Sequence, residues 1–173
     1  NILAYAAITA NSDGAKLTDM KSLHDAGAVG FTDDGLPLMN SLLMKKAFLI
    51  AKQNKSFLAQ HAEDIILSNG GCINEGKVSN QLGVKGISNS TESIIVARDI
   101  ELLRQTNSKY HVLHVSAAES VNLIRAAKKE GLRITAEVSP HHLALTENDV
   151  LKIATNAKMN PPLPASAPTE SRF

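Results

Sequence analysis

Five short apolar segments constrain the fold most strongly, because each is a nearly continuous apolar run and not a strict alternation of apolar and polar residues. They occupy residues 2–9, 28–32, 56–60, 110–115 and 133–138. Continuous apolar runs of this length are typical of strands that are buried on both faces of a parallel sheet. The pattern therefore predicts five parallel strands with helices on the sheet.

Helical patterns lie between these strands. Residues 39–55 carry apolar side chains at helical spacing, and two further helices are predicted from capping patterns at their starts. Asn89 with Glu92 matches one such pattern, and Ser116 with Glu119 matches the other. Strands that alternate with helices imply right-handed crossovers and a parallel sheet.

Two segments have no apolar period. Residues 69–90 are rich in glycine, asparagine and serine, which predicts a long loop of the kind that is usually functional or mobile. The proline-rich tail, residues 161–173, is predicted to be irregular.

The architecture is either an open doubly wound sheet or a closed barrel. Neither a G-x-G-x-x-G motif nor a P-loop follows the first strand, which weakens the nucleotide-binding version of the open sheet. Polar residues at the ends of several strands favour the barrel, whose sites are built there. A complete barrel takes about 250 residues. We therefore expect an α/β fold: a (β/α)8 TIM barrel of the metal-dependent hydrolase type, present in part as one domain over residues 1–173.

Composition excludes several classes of partner. The net charge is +1 and aromatic residues make up 3% of the chain, so neither a basic surface nor a stacking platform for nucleic acid is expected. No apolar run reaches the roughly 18 residues of a membrane-spanning helix. With Cys72 as the single cysteine, no internal disulfide can form, and a reducing cytoplasm is expected. Because the first residue is Asn1, the start of the protein is expected to lie upstream.

Histidines mark the ends of two predicted strands. His61 follows the third run and His114 ends the fourth. His111 lies three residues before His114, so the two side chains should point to opposite faces of that strand. His114 is the better candidate for a site, whereas His111 is expected to pack under a helix or to bond a backbone carbonyl.

Two adjacent carboxylates, Asp33 and Asp34, follow the second strand. Adjacent side chains of an extended segment diverge, so one is expected to face a site and the other to secure the turn. Spacing alone does not decide between them. One carboxylate and two imidazoles at the ends of successive strands match a zinc site.

Two later segments add polar groups. The adjacent histidines of P-H-H-L, residues 140–143, are interpreted as structural. Asn160, in K-M-N-P-P-L, can both donate and accept hydrogen bonds, which suits the recognition of an amide or ureide.

Six segments together resemble the bacterial class I dihydroorotases of the amidohydrolase superfamily: F-T-D-D-G, Q-H-A-E-D, the stretch from Gly76 to Ile100, Y-H-V-L-H-V-S, T-A-E-V-S-P-H-H-L and K-M-N-P-P-L. The resemblance implies a zinc-dependent hydrolase that interconverts N-carbamoyl-L-aspartate and L-dihydroorotate in pyrimidine biosynthesis. It places a carboxylate that bridges two zinc ions on Asp34, histidine ligands on His61 and His114, and a substrate contact on Asn160.

The resemblance also has gaps. The family's H-x-H pair on the first strand and its acid/base aspartate on the eighth strand have no counterpart in these residues. The chain is therefore expected to cover about the third to seventh strands, as an internal fragment. No catalytic acid or base is assigned, and the fragment alone is expected to be inactive.

Two alternatives remain open. A related cyclic amidohydrolase could open a hydantoin or allantoin ring, although those relatives carry a carboxylated lysine where this chain has aspartate. A non-catalytic relative could instead serve as a partner of aspartate transcarbamoylase. For this chain alone in solution, exposed sheet edges are expected to drive association into a dimer or larger homo-oligomer.

Overall fold

A five-stranded parallel sheet forms the centre of the computed structural model, which describes residues 2–165. In spatial order the strands are β1 (Tyr5–Ala6), β2 (Gly30–Phe31), β3 (Leu58–Gln60), β6 (Tyr110–Val112) and β7 (Ile134–Ala136). Each strand of the sheet pairs in parallel with its neighbours. Each falls within one of the five predicted segments, which confirms the predicted strands.

Helices cover one face of this sheet. Tyr110 and Val112 of β6 share a buried apolar cluster with Phe48 and Leu103 from two of these helices. The ring of Phe48 packs edge-to-face on Tyr110, with the centroids 5.6 Å apart. The helices that follow the strands are α1 (Met20–Asp25), α2 (Ser41–Gln53), α5 (Ser90–Thr106) and α6 (Ala118–Lys129).

The predicted loop at residues 69–90 is wrong. After the short helix α3 (Ile65–Ser68), this segment forms β4 (Ile73–Asn74), α4 (Lys77–Leu82) and β5 (Gly86–Ile87), and the two strands pair in parallel. A buried hydrogen bond of 2.7 Å from Asn74 Nδ2 to Glu147 ties this subdomain to the chain beyond β7.

Its glycines serve close packing. A Cβ atom at Gly86 would lie 2.4 Å from the Cα of Glu75, and one at Gly71 would lie 2.6 Å from the carbonyl oxygen of Gly86. Strands of two residues are also too short to show an apolar period. The glycine content that suggested a flexible loop therefore reflects backbones that touch.

The predicted capping patterns are not observed. Asn89 precedes α5 without a side-chain capping bond, and α6 begins after Ala117 instead of Ser116. Glu92 bonds the segment after β6 instead of its own helix terminus. Its carboxylate accepts three hydrogen bonds there.

A buried polar network joins α5 to the sheet. Asp99 is fully buried and accepts hydrogen bonds from the hydroxyl of Tyr110 at 2.8 Å and from Gln60 Nε2 at 2.7 Å. Arg98 pairs with its other oxygen at 2.8 Å. Burial raises the pKa of Asp99, although Arg98 and the other donors oppose this shift.

Beyond β7 the chain forms the short helices α7 (Pro140–Ala144) and α8 (Val150–Ile153), with 3-10 turns at Glu147–Asp149 and Ala154–Ala157. Residues 166–173 of the tail that was predicted to be irregular lie outside the described residues. Within residues 2–165, none of the helices combines the length and apolar character needed to cross a membrane.

We expect Tyr110→Phe to lower the free energy of unfolding by about 1–2 kcal/mol, because it removes one donor from a buried carboxylate. Chemical denaturation measures this change. The half-exposed Tyr5 offers the matched control Tyr5→Phe, which should stay within about 0.5 kcal/mol of the unchanged chain. Equal effects of the two substitutions would contradict the role of the network.

Candidate metal centre

Three side chains converge at the carboxyl ends of β2, β3 and β6. Each of Asp34, His61 and His114 offers one ligand atom, and these atoms lie within 4.8 Å of one another. His61 Nδ1 lies 3.3 Å from His114 Nε2, which in turn lies 3.4 Å from Asp34 Oδ1. The structure thus brings together the three residues that the sequence suggested, because adjacent parallel strands end at the same edge of a sheet.

The structure separates the roles of the two adjacent aspartates. Asp33 is buried and turns towards β1, where its carboxylate accepts hydrogen bonds from the backbone N–H groups of Ile8 and Thr9 at 2.8 and 3.0 Å. The Thr9 hydroxyl donates to the same carboxylate. Asp34 is exposed and faces His114. Asp33 therefore secures the segment after β1, and Asp34 joins the cluster.

His61 is held by a carboxylate two residues further along the chain. Its Nε2 lies 2.8 Å from Glu63 Oε2, and the His61 side chain is only 2% exposed. This donor lowers the pKa of Glu63 to about 2, against the opposing effect of burial. Glu63 is therefore ionised and serves only as an acceptor.

His114 sits on a constrained backbone. Its φ is +32°, a conformation that a side chain other than glycine seldom adopts. The next residues are fixed by the buried carboxylate of Glu92, which accepts from Ser116 N at 2.9 Å, Ser116 Oγ at 2.6 Å and Ala117 N at 3.1 Å. Glu92 thus stabilises the turn that presents His114.

Asn160 reaches the same place from the far end of the chain. Its Nδ2 donates to Glu63 Oε2 at 2.9 Å. The next residue is also held, because buried His142 Nε2 lies 3.0 Å from the carbonyl oxygen of Pro161 and donates to it. Burial lowers the pKa of His142. The position of His142 agrees with the structural role predicted for it.

The prediction that His111 packs under a helix or bonds a backbone carbonyl is wrong. Its ring lies on the sheet face opposite the helices, since the flanking residues of β6 face the helices. It bonds side chains of the neighbouring strand segment instead of a backbone carbonyl: Thr135 Oγ1 at 2.8 Å and Glu137 Oε2 at 3.3 Å. The prediction that His111 stays out of the cluster is consistent with this geometry.

The donor set fits a divalent metal ion. Because the Nε2 proton of His61 points to Glu63, the Nδ1 atom carries a lone pair towards His114 and Asp34. In the cluster only His114 Nε2 can then carry a hydrogen, and that one hydrogen faces two acceptors, His61 Nδ1 and Asp34 Oδ1. Two of the three separations between these atoms, 3.3 and 3.4 Å, match the edges of about 3.3–3.4 Å in a tetrahedron of zinc–nitrogen bonds about 2.0–2.1 Å long, and the third lies within 4.8 Å.

Sequence reasoning missed the carboxylates of Glu63 and Glu92. A signal for Glu63 was present, since residues two apart in an extended segment share a face and Glu63 lies two residues after His61. Glu92 carried no such signal, because its partners are 24 and 25 residues away in the sequence.

We expect the free energy of unfolding of the wild-type chain to fall, relative to that of the Glu92→Gln variant, as the pH rises above the ordinary glutamate pKa of 4.5. Burial raises the pKa of Glu92 in the folded state. The folded state therefore keeps a proton that the unfolded state has lost, and the slope is at most about 1.4 kcal/mol per pH unit.

Chemical denaturation between pH 4 and about 8 measures this difference. Exposed Glu119 provides the matched control Glu119→Gln. A difference between wild type and Glu92→Gln that stays constant with pH would contradict the buried, desolvated state of this carboxylate.

Comparison with known proteins shows the family of this chain. The sequence model of the family described as dihydro-orotase-like matches residues 1–120. The dihydroorotase of Anaplasma phagocytophilum (strain HZ) is 59% identical over 164 residues, which cover 94% of this chain and 36% of that protein. The dihydroorotase of Pelotomaculum thermopropionicum is 49% identical and is covered to 38%.

Comparison with solved structures shows the fold of this chain. The L-hydantoinase (dihydropyrimidinase) from Arthrobacter aurescens matches 95% of this chain and 38% of its own chain, with a TM-score of 0.76 and 22% identity. At that identity the likeness establishes the architecture alone, a partial (β/α)8 barrel. The chain spans little more than a third of the length of the curated relatives it matches, and it belongs to the dihydro-orotase-like family.

Proposed function

We propose that this chain carries part of the active site of a dihydroorotase, a hydrolase of cyclic amides that interconverts N-carbamoyl-L-aspartate and L-dihydroorotate in pyrimidine biosynthesis in the cytoplasm. The observation that carries the proposal is the cluster of Asp34, His61 and His114 in a chain 59% identical to a dihydroorotase over 94% of its length. The substrate is a small molecule.

Asp34, His61 and His114 are the proposed ligands of zinc, and the resemblance to the family implies two zinc ions in a complete site. Bound zinc supplies Lewis-acid chemistry, which polarises an amide carbonyl and makes water a stronger nucleophile near neutral pH. His61 contributes Nδ1, since its Nε2 proton is donated to Glu63. Asp34 is exposed beside His114, where its carboxylate would hold the metal.

Asn160 is the proposed substrate contact. Its Nδ2 lies 3.5 Å from His61 Nε2, so a ring held by Asn160 would lie beside the cluster. The backbone after Asn160 is fixed by His142, and this support limits the freedom of the amide group. The residues described here hold and orient the ring, and the acid/base aspartate is expected outside them.

The hydantoinase alternative has less support. The hydantoinase of known structure shares the fold at 22% identity, whereas dihydroorotases share 44–59% identity with this chain. The carboxylate at position 34 also differs from the carboxylated lysine implied for the hydantoinase type.

Self-association is proposed as well. Within the described part of the chain, β1 and β7 each pair on one side only, and Ile2 and Leu3 beside β1 are exposed. Unpaired strand edges favour pairing with another copy, so light scattering of the isolated chain should give a dimer or larger species and not a monomer. Aspartate transcarbamoylase is a further proposed partner of a complete protein.

Activity is best tested in a complete barrel. When residues 1–163 replace the corresponding segment of the Anaplasma phagocytophilum dihydroorotase, we expect turnover of L-dihydroorotate within about tenfold of the parent enzyme, and no opening of hydantoin. The isolated chain should show no turnover. Hydantoin opening without dihydroorotate turnover would reverse the assignment.

Metal binding tests the ligand set directly. We expect His114→Ala to weaken zinc binding by at least about 100-fold in a competition titration, because loss even of a supporting partner costs about 10–100-fold. His111→Ala is the matched control, three residues away on the same segment and bonded to β7. Similar losses in both variants would place the ion elsewhere.

A further inference from the structure

One oxygen atom of Glu63 connects the proposed ligand His61 with the proposed substrate contact Asn160. Oε2 lies 2.8 Å from His61 Nε2 and 2.9 Å from Asn160 Nδ2. The Glu63 side chain is only 13% exposed, so water competes little for this oxygen. Both neighbours must present a hydrogen to it, because an ionised carboxylate only accepts.

For His61 the consequence concerns its tautomer. A neutral imidazole carries one proton, and the carboxylate of Glu63 draws it to Nε2. Nδ1 is then a lone pair, directed to His114 Nε2 at 3.3 Å. With the opposite tautomer, an N–H bond would point into the cluster and would block a metal ion.

For Asn160 the consequence concerns the orientation of its amide. The nitrogen must face Glu63, since two oxygens would repel each other there. The contact of 3.5 Å between Asn160 Nδ2 and His61 Nε2 joins two donors and contributes no hydrogen bond. Within residues 2–165 the Asn160 amide makes its side-chain contacts through Nδ2, and the residue is exposed. The amide thus offers an acceptor to a ligand.

Helix formation does not account for Glu63. The neighbouring Asp64 caps α3, accepting from the backbone N–H groups of Ile66 and Leu67 at 3.0 Å each. The hydrogen bonds of 2.8 and 2.9 Å to the Glu63 carboxylate come from His61 and Asn160, and the Ser68 side chain of α3 is a further, weaker partner that also lowers the pKa of Glu63. Asp64 therefore caps the helix, whereas Glu63 contacts His61 and Asn160.

We propose that Glu63 is a positioning residue that directs the Nδ1 lone pair of His61 to the metal and the carbonyl oxygen of Asn160 to the ligand, so that the site recognises an N–H donor of the ring. This inference rests on the proposed function for the identity of the ligand. The part that concerns His61 can be tested without it.

The first experiment compares Glu63→Leu with Glu63→Gln. Both variants are made in the 173-residue chain and in the exchanged enzyme, which is the full-length dihydroorotase that carries residues 1–163 in place of its own segment. Long-range ¹H–¹⁵N spectra of the metal-free proteins report which ring nitrogen of His61 is protonated. We expect the Nε2–H form in wild type and a mixture of tautomers in Glu63→Leu, with zinc binding weakened about 10–100-fold. Glu63→Gln keeps a carbonyl oxygen that can accept from both neighbours, so it should retain the tautomer and most of the affinity.

Glu75→Leu is the matched control, since Glu75 is exposed and the exchange removes the same charge. It should change neither readout. If Glu63→Leu keeps both the tautomer and the zinc affinity of wild type, the positioning role is wrong. Failure of the proposed function looks different, because wild type would then bind zinc and show the expected tautomer without turning over dihydroorotate.

The second experiment tests the acceptor of Asn160 with L-dihydroorotate and its two ring N-methyl derivatives in the exchanged enzyme. We expect methylation of one ring nitrogen to raise KM at least tenfold in wild type, and this penalty to shrink at least threefold in Asn160→Ala, whose zinc affinity should be unchanged. Equal penalties in wild type and Asn160→Ala would overturn the proposed recognition of N–H.

Discussion

The parallel register of β2, β3 and β6 is the constraint on which the site depends. Phe31 pairs with Leu58, and Leu58 pairs with Tyr110, so the three strands end at one edge and their next residues meet there. The alignment is maintained from the other face of the sheet, where helices α2 and α5 bury Tyr110 and its neighbours. Packing on one face thus determines which polar residues come together at the end of the strands.

Carboxylates then fix the turns that follow the strands. Asp33 ties the turn after β2 to the segment after β1, Glu63 holds the imidazole ring of His61 after β3, and Glu92 holds the segment after β6. Each accepts at least two hydrogen bonds, and each is largely buried. A buried carboxylate is costly unless its oxygens are satisfied, so these contacts exclude alternative turn conformations. The cluster is therefore organised by the protein before a ligand arrives.

Sequence reasoning succeeded where period and position carry the information. Continuous apolar runs predicted the five strands, and position at the strand ends predicted that His61 and His114 lie close to one of the two aspartates. It failed at residues 69–90 because strands of two residues have no period. The environment of His111 was also missed, since Thr135 is brought beside it only by the register of β7. Parity separated Asp33 from Asp34 in direction but did not say which direction faced the histidines.

The consecutive aspartates have a further consequence for the register of β2. A slip of this strand by one residue would move every side chain to the opposite face. Asp33 would leave the N–H groups of Ile8 and Thr9 without their acceptor, and Asp34 would turn away from His114. The misaligned sheet would lose a buried hydrogen-bonding partner and the cluster of Asp34, His61 and His114 in the same step. The correct register of β2 is therefore required both for the buried hydrogen bonds of Asp33 and for the position of Asp34 beside His114.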